Sequence, residues 1–187
     1  MEHITQQISK EELEFYKKKA VEKIKAEGWE GRSTEQKTEN FVNCWVTEEA
    51  FKKLLMKNKA FFRHRGLYVG DAAGAGVDFE VKENDRWITI GVRSINDDSL
   101  NRWKSVAYPE DRFLTEQHKI PDYVVACHND NGCVTFLGII EKKELLDELG
   151  RSRRLKSKAN QELFRTVPLE KFSNEQLNDL LKELDKL

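Results

Sequence analysis

The chain has 187 residues, 39% hydrophobic and 35% charged, with ten Phe, four Trp and four Tyr. That length supports one domain with a real core, and that aromatic content excludes a disordered chain. A formal net charge of −1 removes any argument for nucleic acid from bulk basicity, so partners must be argued from local patches.

Cys44, Cys127 and Cys133 lack zinc spacing and read as buried small hydrophobes in a reducing compartment. No apolar run reaches the length of a membrane span, and the N-terminal MEHITQQISKEE has no apolar signal core. The expectation is a cytoplasmic protein without membrane contact.

Ser9 and Glu12 form a capping-box pattern. Behind them Leu13, Tyr16, Ala20, Val21 and Ile24 recur at helical spacing, and Gly28 stops the run. Lys17, Lys18 and Lys19 read as a solvated helix face. Glu30 to Glu39 reads as a polar loop. Phe41, Val42, Cys44 and Trp45, then Ala50, Phe51, Leu54 and Leu55, mark one long helix or two in succession. In this reading Thr47 opens a helical turn with Glu48 and Glu49 favourably placed on its dipole.

Phe61 to Arg65 interleaves aromatic and basic residues, a pattern able to stack on bases; His64 reads as a surface histidine. Leu67-Tyr68-Val69 reads as a short strand. Asp71 to Gly76 is a glycine-containing loop without the Gly-Lys-Ser/Thr of a phosphate loop.

Gly76 to Ile95, GVDFEVKENDRWITIGVRSI, organises the rest. Val77, Phe79 and Val81 alternate with Asp78, Glu80 and Lys82. After Glu83-Asn84-Asp85-Arg86, Ile88, Ile90 and Val92 are apolar again. Period-two alternation predicts two half-buried strands joined by a short hairpin loop that lacks the Asn-Gly signal. Successive side chains point to opposite faces, so Asp78, Glu80, Thr89, Gly91 and Arg93 share the polar face. Pairing Lys82 with Trp87 sets Glu80 opposite Thr89 and Asp78 opposite Gly91, with Arg93 just beyond.

Asn96 to Asp111 reads as an irregular polar loop that carries Arg102 and Lys104, suited to facing DNA. Phe113 to Lys119 reads as a short helix, Asp122 to Cys127 as a buried strand, Asn129 to Gly132 as a turn, and Cys133 to Ile140 as the next strand. Glu141 to Leu149 is a helix stopped by Gly150. Arg151, Arg153, Arg154, Lys156 and Lys158 form the densest basic run. It reads equally as a phosphate-contacting segment and as a solvated linker. Val167-Pro168-Leu169 is extended. Ser173 and Gln176 cap a last helix with Leu177, Leu180, Leu181 and Leu184 as its stripe.

An Asp in an alternating strand, a short hairpin and a second strand resemble the core of the PD-(D/E)XK, or restriction-endonuclease-like, nucleases. Gly74 to Phe79 resembles that family's first strand, and Ile90-Gly91-Val92-Arg93-Ser94 falls where the second carries acid-x-Lys. Here Gly91 replaces the acid and Arg93 the lysine. Glu49-Ala50-Phe51 resembles the family's helix glutamate, with Glu48 as neighbour. Asp122 to Ala126 and Val134 to Ile140 resemble its later strands.

The resemblance implies an α/β (α+β) fold, a restriction-endonuclease-like core whose central mixed sheet of about 4–5 strands is flanked by helices. It implies one such domain over 1–187, with N-terminal helices at 1–60, the sheet core at 66–149, and the basic segment and C-terminal helix at 150–187. It also implies a metal-dependent endonuclease that hydrolyses phosphodiester bonds in DNA. Glu49, Asp78 and Glu80 would hold Mg2+ or Mn2+, with Glu80 standing in for the acid missing at Gly91. Asp78, Glu80 and Arg93 would be the catalytic set.

Arg93 can stabilise phosphate charge but cannot act as a base. Arg102, Lys104, Arg151, Arg153, Arg154 and Lys156 would contact DNA. A homodimer is possible by analogy with enzymes that cut both strands. Two other readings stand beside this one. In the first, a catalytically inactive nuclease fold binds nucleic acid or a protein partner. In the second, an ordinary α/β protein has Asp78 and Arg93 as a cross-strand ion pair.

Overall fold

The computed structural model describes residues 2–27, 33–66 and 77–187. The expected helix stop at Gly28, the strand at Leu67 to Val69, the loop at Asp71 to Gly76 and the lead-in at Gly74 to Gly76 lie outside the described residues. The chain folds as mixed α+β around a six-stranded mixed sheet.

Nine strands are described: β1 (Ile4–Gln7), β2 (Phe62–His64), β3 (Phe79–Glu83), β4 (Arg86–Ile95), β5 (Ser105–Pro109), β6 (Tyr123–Asp130), β7 (Cys133–Glu141), β8 (Leu155–Lys156) and β9 (Leu163–Pro168). The helices are α1 (Lys10–Glu27), α2 (Thr34–Lys57), α3 (Glu110–Leu114), α4 (Lys142–Arg151) and α5 (Asn174–Glu183). The large sheet runs β1-β7-β6-β4-β3-β2, and a second, three-stranded sheet runs β5-β9-β8. Only the β4–β6 pair of the large sheet is parallel.

The β3–β4 hairpin has the expected register, with Lys82 opposite Trp87 and Glu80 opposite Thr89. Its loop is shorter than expected. Glu83 pairs with Arg86, and only Asn84 and Asp85 turn the chain, both at positive φ (48° and 62°). That is the type I′ twist that suits a hairpin, made without glycine. The Asp185 carboxylate accepts both turn N–H groups at 3.0 Å.

The two faces of the sheet bury separate cores. Phe79, Val81, Ile90, Val125, Cys127, Phe136 and Ile139 meet α1, α2 and α5 on one face. Phe51 of α2 anchors that layer edge-on to Phe79 (5.1 Å) and Phe136 (5.9 Å). Ile95, Val124, Ala126 and Ile140 meet α4, β5 and β9 on the other face. Strands buried on both sides read as apolar runs rather than alternations, which is why β6 and β7 look continuous in the sequence.

Several expectations change. Residues 34–39 open α2, a single helix to Lys57, because Ser33 accepts from Gln36 N–H (3.2 Å) and caps it. Thr47 is therefore interior, its hydroxyl donating back to Asn43 O at 2.8 Å. The N-terminal ITQQ, assigned to no element from the sequence, is edge strand β1, paired with β7. The expected loop at 96–111 holds a π-type turn (Ser99–Trp103), strand β5 and the start of α3. Within the basic run Arg151 ends α4 and only Leu155–Lys156 form a strand, β8, with Arg153 and Arg154 between them. Val21 is exposed on α1 instead of buried.

Candidate active-site cleft

A cleft of about 540 Å³ opens where the chain enters β3. Its lining includes Cys44 and Glu48 of α2, Asp78, Gly91 and Arg93 of the hairpin, and Tyr108, Arg112, Lys119, Pro121 and Glu162 from the side of the second sheet. Asp78 stands just before β3, so its carboxylate sits at the strand end, where helix and hairpin side chains converge.

Asp78 Oδ2 accepts the Val92 N–H at 2.7 Å. Burial and then the Glu48 carboxylate push Asp78 up to about 7, against the pull of the Val92 N–H, Arg93 and His64. Glu48 is held in turn, with His64 Nε2 3.4 Å from its Oε2. His64 is not a free surface residue: its ring stacks on Phe79 at 4.3 Å and 6°.

Arg93 does not pair with Asp78 among the described residues. Its guanidinium lies over the Tyr108 ring, 4.3 Å from the centroid, which fixes its plane and leaves its donors for an anion. Gly91 is more than a missing acid. A Cβ built there would stand 2.9 Å from Pro121 Cγ. The proline ring occupies the space that a carboxylate would need.

The other expected ligands are placed elsewhere. Glu49 points to α1: Tyr16 Oη–H donates to its Oε2 at 3.2 Å, and Lys52 Nζ is 3.7 Å away. Glu80 shares the face of Asp78, as the alternation requires, but lies farther along β3 and faces Arg63 at 3.9 Å. Neither lines the cleft. No group of three His, Cys, Asp or Glu side chains among the described residues is arranged to hold a metal. The acid brought beside Asp78 is Glu48, one residue from the one expected. One helical residue is a rotation of about 100°, and no local signal in 34–57 fixes that angle to better than one position.

The basic residues fall into two groups at opposite ends of the small sheet. Pro109 pairs with Phe164 and Phe164 with Leu155, so the basic run lies at the cleft end. Arg154 is bound to the buried Glu110 (2.7 Å) and Arg151 to Glu148 (2.6 Å). Arg153 and Lys156 are exposed, with no acidic partner among the described residues. Arg102 and Lys104 lie beyond the Ser105–Pro168 pair, roughly 13 Å along β5. There Arg102 stacks over the exposed Trp103 ring at 4.7 Å.

Compared with family models, curated proteins and solved structures, the chain matches none. No helix among the described residues is long and apolar enough to cross a membrane.

Proposed function

We propose that this protein is a metal-dependent nuclease that hydrolyses phosphodiester bonds in DNA, with a variant restriction-endonuclease-like site built on Asp78, Glu48 and Arg93. One observation carries the reading: a largely buried Asp78 carboxylate meets a second carboxylate, Glu48, across an open cleft, with the Arg93 guanidinium beside them. Two like charges held together raise each other's cost, and a divalent cation is what relieves it. The order helix acid, Asp strand, hairpin and parallel β6 supports a restriction-like core for the same reason.

Asp78 and Glu48 would hold Mg2+ or Mn2+, since magnesium commonly uses one or two carboxylates and completes its shell with water and phosphate oxygens. The bound ion would supply phosphate polarisation and a more acidic water. His64 orients Glu48. Arg93, braced on Tyr108, donates to a non-bridging phosphate oxygen as charge builds there. It holds its proton throughout. Arg112 lies on the cleft wall, where Lys119 is paired with Glu116.

The test is cleavage of linear, supercoiled and branched DNA with magnesium or manganese. Cutting is expected, and it is abolished by Asp78→Ala and by Glu48→Ala. Intact substrates across all forms and both metals overturn the reading.

A second reading is favoured by the Pro121 ring against Gly91. With the second hairpin acid sterically closed off, the fold binds nucleic acid without cutting it. Binding that needs no metal and survives Asp78→Ala supports this one.

A further inference from the structure

We infer that a second cavity, lined by Phe15, Tyr16, Trp45, Glu49 and Lys52 and sharing Glu48 with the cleft, receives one unpaired nucleobase of the strand whose phosphate lies at Arg93. This rests on the phosphodiester reading and adds to it a substrate class, single-stranded or locally unpaired DNA.

The cavity is about 270 Å³, room for one heterocyclic base and too little for a base pair. Glu48 forms part of both walls, so a base seated here and a phosphate in the cleft belong to neighbouring positions of one chain. Phe15 is the ring presented to solvent, while Tyr16 belongs to the core and Trp45 packs half-buried against it. Phe15 is 51% exposed on α1; Tyr16 meets it edge-on at 5.5 Å and 69°, and Lys19 Nζ lies over its ring 5.8 Å from the centroid, so a base stacks on the face away from Lys19. Trp45 is braced from one side by Phe41, stacked at 5.6 Å and 18°. A half-exposed phenylalanine beside a braced indole is a costly way to build a helix surface and an effective way to grip a base.

The polar rim is also matched. The Glu49 carboxylate accepts from Tyr16, whose phenol burial and Glu49 keep protonated, and pairs with Lys52. The remaining acceptor capacity of Glu48 and Glu49 suits the exocyclic amino group of a base. Lys19, on the same wall, suits the phosphate that follows.

The experiment measures binding by fluorescence anisotropy in calcium, which occupies oxygen-ligand sites. A short single-stranded oligodeoxynucleotide is compared with an all-abasic strand of equal length. Wild type is expected to favour the base-bearing strand by at least about fivefold. Phe15→Ala removes that preference, Phe15→Trp keeps it, and both variants melt like wild type because Phe15 is half exposed. A 2-aminopurine in the strand should be quenched on binding to wild type and not to Phe15→Ala. Equal binding of the two strands, or an unchanged preference in Phe15→Ala, overturns the inference and leaves the phosphodiester reading standing. No binding of either strand also overturns the inference, and the phosphodiester reading is then decided by the cleavage of linear, supercoiled and branched DNA.

Discussion

At the scale of single residues, Asp78 and Gly91 set the character of the site. The Asp78 carboxyl is raised from 3.8 to about 7, so the folded protein holds its proton where the unfolded chain has released it. Between those values the native state binds more protons, and stability falls as pH rises; the deficit is complete above 7. Asp78→Asn keeps an acceptor for the Val92 N–H and removes the charge. It is expected to stabilise the protein by about 2–4 kcal/mol above pH 7, several degrees in Tm, and by nothing below the ordinary Asp value. Melting curves across that range check this; a gain independent of pH would refute the assignment. Gly91 is governed by space. With Pro121 Cγ 2.9 Å from where a Cβ would sit, Gly91→Ala should cost about 1–3 kcal/mol. Gly91→Asp should destabilise as well, instead of restoring an acid-x-basic site, as urea titration would show.

At the scale of elements, the second sheet is held together, and to the end of α4, by Glu110. This residue is 1% exposed, begins α3, and receives Arg154 and Arg165 at 2.7 and 3.1 Å. Arg165 also donates to Leu149 O and Ser152 O, which pins the end of α4 to β9. Burial raises the Glu110 carboxyl, but the two arginine hydrogen bonds outweigh it and hold the group below its usual value. Glu110→Ala leaves the arginines without their shared partner and should lower the denaturation midpoint. The sign with pH is opposite to that of Asp78. The Glu110 contribution is present above the ordinary Glu value and is lost as pH falls through its lower native value, so the gap between wild type and Glu110→Ala should close in acid. Guanidinium titrations at neutral and acid pH measure both. Little in the sequence of 96–168 announces this sheet, since β5 and β9 are short and β8 has two residues. Their pairing is a long-range event that Glu110 and its arginines secure. Gly138 has a similar long-range cause. At φ 141° it sits at a bulge where a Cβ would meet Phe172 backbone at 2.6 Å.

At the scale of the whole molecule, the cleft lies between the hairpin end of the large sheet and the small sheet, and charge is distributed around it unevenly. The near-neutral chain concentrates unpaired cations, Arg153 and Lys156, at the cleft end of the small sheet. Arg102 and Lys104 stand at the far end. If DNA passes over the cleft, Arg153→Ala and Lys156→Ala should each lower the salt slope of binding by about one and weaken all sequences alike. Arg154→Ala, whose side chain holds Glu110, should lose stability instead. Lys104→Ala should leave the slope nearly unchanged in a short duplex. Filter binding at several salt concentrations separates the three; equal slopes for all would remove the basic strand from the binding surface.

What the sequence determined by itself is the local order: the Ser9 and Ser173 caps, the amphipathic stripes of α1 and α5, and the β3–β4 hairpin with its register. It also put Asp78, Glu80, Gly91 and Arg93 on one face. These follow from periodicities of 2 and 3.6 and from hydrogen bonds between near neighbours, which a short window of residues contains. The tertiary structure alone decided that Glu48 and not Glu49 meets Asp78, that Pro121 fills the place of the missing acid, and that Arg93 rests on Tyr108. It also decided that Arg151 and Arg154 of the basic run are spent on internal ion pairs. Each of these is a contact between residues far apart in the chain, set by helix rotation and sheet packing, and no local pattern carries that information.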